Sequence, residues 1–411
     1  MHVSRINVTF SALMLWLFLF LLPTQLGKHF FFDFSYISGV RVDYLAPAIY
    51  LTDLLAGLLI VMYWKHVVAG VIRHARYLVY LAPLVAINIA LSQQPILSLY
   101  GWLRMAEIYL LFHLFRSIHI PQALSMSAFT AGALVQTILT LMQFQLHRAL
   151  QGPWYWLGER ALSTSLPGVA KASLFGTEIL RPYGTFSHPN SLGGFYVLVV
   201  AWLLSTPAHT ARMQWLKAGL ITLSSMLVLI SFSKTAIITL FIVVGVFGIR
   251  NSKVFVTCRL CMFARICIAV SILTFFLSAH GDVYSLDKRL ILMKEATTIL
   301  LHHALWGTGF WNNLYEHARF VQRYPYVFVQ PVHNVFLLWM MQTGLLISSL
   351  VGWWGWTWLR ANWSYRHYFL LPFIVIILTG SVDHYWLTLQ QNMLLLGVVG
   401  GLMSLKLDAK S

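Results

Sequence analysis

Long apolar runs separated by short polar joints repeat from one end of the chain to the other. Crossing about 30 Å of hydrocarbon as a helix takes roughly 20 apolar residues. About twelve runs approach that length: 10–27, 45–64, 77–92, 101–116, 122–144, 191–207, 215–232, 235–249, 261–279, 333–358, 367–382 and 385–405. The pattern predicts an all-α polytopic transmembrane bundle, with residues 1–411 forming a single integral membrane domain. The first run follows a short basic start containing Arg5, as a signal peptide would. The bulky stretch Leu22-Pro23-Thr24-Gln25-Leu26 offers no small-residue cleavage site, so an uncleaved first span is preferred.

Two intervals break the rhythm of short joints: residues 145–190 and residues 280–332. Both are rich in Trp, Tyr and Phe, which argues for built loops rather than linkers. Within the second, residues 286–303 have the periodicity of an amphipathic helix. Asp287, Lys294, Glu295, Thr298 and His302 fall on one side of its wheel. Arg289 falls on the other, among Met293, Ala296 and Leu300, where a cation needs an anion or carbonyl oxygens for company. A snorkelling arginine is the bland alternative.

Composition sharpens the class. Hydrophobic residues make up 59% of the chain and charged residues only 10%, against roughly a quarter charged in soluble domains. The formal net charge of +16 follows the retention of Lys and Arg in short cytoplasmic loops. With both termini inside, the inner segments hold fifteen such residues, and the short outer joints hold only Lys28, Arg41 and Lys234. The charge is thereby an orientation signal and not a mark of nucleic-acid binding. Both long intervals fall on the outer side, where Arg148, Arg160, Lys171, Arg181, Lys288, Arg289, Lys294, Arg319 and Arg323 suggest an anionic substrate. Neither interval contains cysteine. Cys258-x-x-Cys261 has half the spacing of a zinc site without a second half nearby.

Several groups carry candidate chemistry. Arg104 and Glu107, three apart on one helix, suit a buried ion pair. Arg181 and His188 lead into the span that begins near Asn190, a possible helix cap, and Gly193-Gly194 permit close packing. Ser231-Phe232-Ser233-Lys234 interrupts an apolar stretch too long for one crossing, so it marks a turn and puts Lys234 at the outer face. Gly307 and Gly309 end the amphipathic helix. His333 sits at or near the start of the next helix, whose positive end favours a neutral imidazole able to take a proton. Asp33 and Asp43 in the first outer loop are rival bases. No Asp-x-Asp pair occurs among the twelve carboxylates, so a divalent-ion site is not expected.

Taken in order, RPYGTFSHPNSLGGF, SFSKTA, HHALWGTGFWN and HNVFLLWMMQTGLL, spread over residues 180–350, resemble the shared core of the O-antigen ligase and O-antigen polymerase superfamily of bacterial membrane glycosyltransferases. The resemblance implies a helical fold related to the C-type glycosyltransferases in the bacterial cytoplasmic membrane, with the active site at the outer face. It implies an undecaprenyl-diphosphate-linked glycan donor, a saccharide or glycolipid acceptor, and inverting transfer without a metal ion or other cofactor. Carried over by position, Arg181 and Arg289 are diphosphate ligands, His333 is the catalytic residue beside Arg289, and Lys234 stands where relatives more often carry arginine. His188 shapes the loop or touches substrate. The other reading of the sequence is a lipid-linked oligosaccharide flippase or another polysaccharide transporter, which would call for ionisable groups near the bilayer midplane.

Overall fold

The computed structural model describes residues 4–5, 10–166, 168–174, 176–251, 259–278, 285–320 and 329–408. Within these the chain is mostly helical. The helices are α1 Phe10–Leu21, α2 Leu51–Met62, α3 Trp64–Arg73, α4 Ala75–Ala90, α5 Pro95–Ser117, α6 Gln122–Leu146, α7 Pro189–Leu204 and α8 Ala211–Ile230. They continue with α9 Lys234–Arg250, α10 Arg259–Ser278, α11 Ser285–His302, α12 Asn313–His317, α13 Val335–Ala361, α14 Arg366–Gly380, α15 Tyr385–Thr388 and α16 Gln390–Asp408. Each apolar run of the sequence contains a helix. Among the described residues, α6, α8 and α13 are long and apolar enough to cross a membrane, or four spans if α2 and α3, bent by 84°, count as one. The rest are shorter or more polar. A 12-residue helix such as α1 reaches only about 18 Å.

The expectation of helix alone needs adjustment, because four small two-stranded ladders occur. Gly27–His29 pairs antiparallel with Ala48–Tyr50, and Lys171–Leu174 with Thr177–Leu180. Tyr36–Ile37 pairs with Val40–Arg41, and Ser4–Arg5 with Ile118–His119. Among the described residues these ladders lie outside the helices, Ser4–Arg5 before α1 and the other strands in joints, where backbone amides have no helical partner.

The core is organised around α7, which is buried along nearly its whole length. Its sequence is apolar on every side, as a helix enclosed by others must be. Gly193 lets it approach Ser231 and Ala236, and Gly194 leaves room for the Tyr385 ring. Phe195, Tyr196, Leu198 and Val199 then join Leu227, Val228, Leu240, Leu394 and Val398 in one continuous cluster. The consequence is that residues just before α7 are held at a fixed point of the bundle. As the sequence predicts, the polar group Ser231–Ser233 is the turn between α8 and α9, and Phe232 there has a φ of 50°.

The second core gathers Leu292, Ala296 and Ile299 of α11 against Phe310, Val332, Leu338 and Met341. The wheel reading of α11 holds for Ala296 beside a half-buried Arg289, but two placements differ. Met293 is exposed, whereas Glu295 turns toward the protein and pairs with the buried His317 at 3.1 Å. The carboxylate is drawn inward by that buried imidazole.

Helix α13 is broken at Gly344, whose φ of 75° and ψ of 173° are not helical. The break frees carbonyl groups, and the Trp306–Gly309 turn satisfies them. Thr308 N–H donates to Met341 O at 2.9 Å, Gly309 N–H to Gln342 O at 3.1 Å, and Leu345 N–H reaches back to Ala304 O at 2.7 Å. Asn88 Nδ2 closes the joint by donating to Trp306 O and Gln342 O. The Gly307–Gly309 turn is thus a structural dock. A β-carbon at Gly344 would collide with the Leu305 carbonyl. Gly344→Ala is expected to destabilise the protein by at least about 1–3 kcal/mol through backbone strain, read as a lower thermal unfolding midpoint in detergent. An unchanged midpoint would refute this account of the break.

Candidate functional site

The first long interval begins after α6 and ends at α7, and α6 itself holds it down. Gln136 and Gln143, seven residues apart, face the same side of the helix. Gln143 Oε1 accepts from the N–H groups of Tyr183 at 3.0 Å and Gly184 at 2.8 Å, and Gln136 Oε1 accepts from Thr185 N–H at 3.1 Å. Gln143 Nε2 also donates to Glu159, a buried carboxylate that accepts from Leu150 and Gln151 N–H. Gly184, at a φ of 57°, passes so close to Gln136 that no side chain fits. This anchoring sets the position of Arg181 on one side and His188 on the other.

Arg181 donates from Nε to Ser231 O at 3.1 Å and from Nη2 to Asn190 Oδ1 at 2.7 Å. Burial pushes its guanidinium down to about 10, opposed by Tyr183 and Asp383, so it stays charged at neutral pH. The helix cap differs from the sequence reading. His188 is the N-cap of α7, its Nδ1 accepting from Asn190 N–H at 3.1 Å. Asn190 is thereby free to bridge: its Oδ1 takes Arg181, and its Nδ2 donates to Asp383 Oδ2 at 2.8 Å.

Asp383 and His384 were not singled out by the sequence reading. They occupy the joint between α14 and α15, which reads as one of many short connections. The available signal is an acid directly followed by a histidine in a short joint between two apolar runs. Asp383 Oδ1 accepts from His384 N–H at 2.8 Å and lies 3.6 Å from His333 Nδ1. That last contact is longer than a hydrogen bond, and His333 Nδ1 is buried without another partner. The His333 and His384 rings stand 4.9 Å apart, and His384 Nδ1 meets Thr388 Oγ1 at 2.7 Å.

The electrostatics of the cluster are uneven. Burial alone would raise the Asp383 carboxyl, but His333, His384 and His188 outweigh it and hold it well below the usual carboxylate range. Burial, with His333 adding to it, takes His384 down to about 3. Burial and then Arg181 do the same to His188, also to about 3. The result is an ionised carboxylate among imidazoles, two of which are neutral at physiological pH.

Arg289 reaches this turn from α11, donating from Nη1 to Val382 O at 3.2 Å. His333 precedes Asn334, the true N-cap of α13, whose Oδ1 accepts from Leu337 N–H and whose Nδ2 donates to Ser381 O. Arg181, His188, Arg289 and His333 are thus gathered around residues 381–384. Lys234 is not. It is the exposed first residue of α9, three places after the Ser231 carbonyl that Arg181 grips.

A cavity of about 1040 Å³ opens on the cluster, lined by His188, His333, Asp383 and His384 together with Tyr44, Asp43, Arg104 and Arg160. Arg181, Arg289 and Lys234 are not among its lining residues. Of the rival bases, Asp43 reaches the cavity but is engaged by Arg41 at 3.1 Å and Arg160 at 3.9 Å. Asp33 is exposed at the start of a short 3-10 helix and does not line it. The Arg104–Glu107 pair forms at 2.9 Å and includes Asp53 at 2.7 Å, which places this ion group against the cavity wall. The scarcity of paired carboxylates overlooked a mixed set. His333, Asp383 and His384 each offer one ligand atom, all within 4.8 Å of one another. Arg323 and Cys258 lie outside the described residues, and Cys267 is exposed.

A bundle of apolar helices with a polar, cavity-facing cluster at the helix joints defines an integral membrane protein with a built site. Residues 219–350 match the family model described as O-Antigen ligase, which supports the chain's resemblance to the O-antigen ligase and polymerase superfamily. The matched span contains Lys234, Arg289 and His333, and leaves out Arg181, His188, Asp383 and His384. None of the curated proteins matches this chain.

Gln143→Ala would leave the amides of Tyr183 and Gly184 without an acceptor, at about 1–3 kcal/mol for each unsatisfied group. Hydrogen exchange at residues 183 and 184 is expected to accelerate while that of α7 stays slow. Equal protection in the variant would show that α6 does not anchor the loop.

Proposed function

We propose that this protein is a membrane glycosyltransferase. It transfers a glycan from undecaprenyl diphosphate to a saccharide hydroxyl, in cell-surface polysaccharide assembly, at the outer face of the cytoplasmic membrane. The observation that carries the reading is the convergence of Arg181, Arg289 and His333 on the turn at Asp383. Arg181 arrives through Asn190, Arg289 through the Val382 carbonyl, and His333 faces the carboxylate itself.

In this reading the acceptor saccharide enters the cavity and presents a hydroxyl to His333 Nε2. The imidazole takes the proton as the oxygen attacks the anomeric carbon from the side opposite the diphosphate, so the configuration inverts. Asp383, facing His333 Nδ1 at 3.6 Å, stabilises the imidazolium that forms, as a buried carboxylate does beside a catalytic histidine. The bond to the diphosphate breaks, and its growing negative charge falls to Arg181 and Arg289. A guanidinium has five N–H donors, and the contacts described above engage two on Arg181 and one on Arg289. Donors remain for phosphate oxygens, and fixed guanidinium groups stabilise such charge without a metal. Lys234, exposed at the start of α9, adds positive charge at the outer face, apart from this group. On this reading the helical fold is related to that of the C-type glycosyltransferases.

The transporter reading would draw on the Arg104, Asp53 and Glu107 group. Those charges are already paired with one another and offer no relay across the bundle.

The test is to supply purified protein with defined undecaprenyl-diphosphate glycans, with and without a lipid A core acceptor. A ladder of lengthening lipid-linked glycan indicates a polymerase, and one-step capture on the core a ligase. Labelled lipid crossing the bilayer with neither product would overturn the proposal. Arg289→Ala and His333→Ala are expected to abolish turnover with expression intact. Asp383→Asn is expected to lower it by about 10²–10⁴-fold. Full activity in His333→Ala would remove the imidazole from the mechanism.

A further inference from the structure

We infer that His333, Asp383 and His384 form an inhibitory binding site for a borderline transition-metal ion, zinc above all. The three side chains each turn one ligand atom toward a common point, within 4.8 Å of one another, at the wall of the large cavity. His333 Nδ1 is buried and has no hydrogen-bond partner, so its lone pair or proton is uncommitted. His384 Nδ1 is occupied by Thr388 Oγ1, which leaves Nε2 as its ligand atom. Asp383 supplies an oxygen.

Two imidazoles and one carboxylate with an open fourth position suit zinc and disfavour magnesium, which prefers oxygen ligands in an octahedron. With metal–ligand bonds of roughly 2.0–2.2 Å, a tetrahedral set is tighter than 4.8 Å. Binding would draw the three ligand atoms closer together. The outer shell is in place: Asn190 holds the far oxygen of Asp383 at 2.8 Å, and Thr388 holds His384. The guanidinium groups of Arg181 and Arg289 nearby oppose a cation. They weaken the hold on a metal, which suits a reversible regulator better than a resident structural ion.

The consequence follows from the two nitrogens of one ring. Zinc on His333 Nδ1 fixes the tautomer with the remaining proton on Nε2. An imidazole in that state cannot accept the acceptor's proton. This inhibitory role rests on the transferase reading above, whereas the binding site itself does not.

Zinc binding to the purified full chain is measured by competition with a chromophoric chelator, and the coordination shell by zinc-edge X-ray absorption. Expected are one zinc per chain, a shell of nitrogen and oxygen, and binding weakened by at least about tenfold in His384→Gln and Asp383→Asn. The exposed His302→Gln serves as a control with unchanged affinity. Equal binding in His384→Gln, or sulfur in the shell from the cysteines near α10, overturns the site while leaving the transferase reading in place. Should either variant fail to give monodisperse protein, the wild-type absorption spectrum decides by the same criterion. In the transfer assay zinc should abolish product and magnesium should not. Zinc bound at the cluster with undiminished transfer overturns the inhibitory role and removes His333 as the base.

Discussion

A carboxylate taken out of water must be compensated, because an isolated buried charge is too costly to keep. Asp383 is that group here, with only about a tenth of its side chain exposed. Its compensation comes from the Asn190 amide, the His384 backbone N–H and the facing imidazole of His333. Arg181 and Arg289 stand one contact further out. None of these partners is near Asp383 in sequence except His384. The requirement to neutralise one charge therefore ties together four segments that are far apart in the chain.

The scaffold makes this arrangement rigid at its two most demanding points. Helix α7, enclosed on all sides, fixes His188 and Asn190. The break at Gly344 and the turn at Gly307–Gly309 lock the first half of α13 against the end of α11. The elements that carry His333 and Arg289 are thus joined through backbone hydrogen bonds. Placement on rigid elements is what a site needs when small displacements weaken its chemistry.

The site is also divided. The imidazoles and Asp383 face the cavity, whereas the two arginines touch the same turn without lining it. The proposed transfer would need two such surroundings, one for the acceptor and one for the anionic leaving group. The same geometry explains why two histidines stay neutral beside an ionised acid. Burial acts on all three, and the arginines add to it at His188 and His384.

The sequence by itself determined the class of fold, because apolar runs of bilayer length leave helices as the natural way to satisfy the backbone. Helix positions, the turn at Ser231–Ser233 and the partly buried face of α11 at Arg289 were legible for that reason, each being set by local periodicity. Arg181, His188, Arg289 and His333 were singled out as candidates through an ordered set of motifs. Only the tertiary structure decided which of them share a turn, that Lys234 stands apart, and that Asn190 bridges while His188 caps. It alone brought in Asp383 and His384, whose short joint carries no periodicity and whose importance arises from what folds against it. Contacts across nearly two hundred residues, such as Asn190 to Asp383, are fixed by packing, and a local pattern in the chain has no means of recording them.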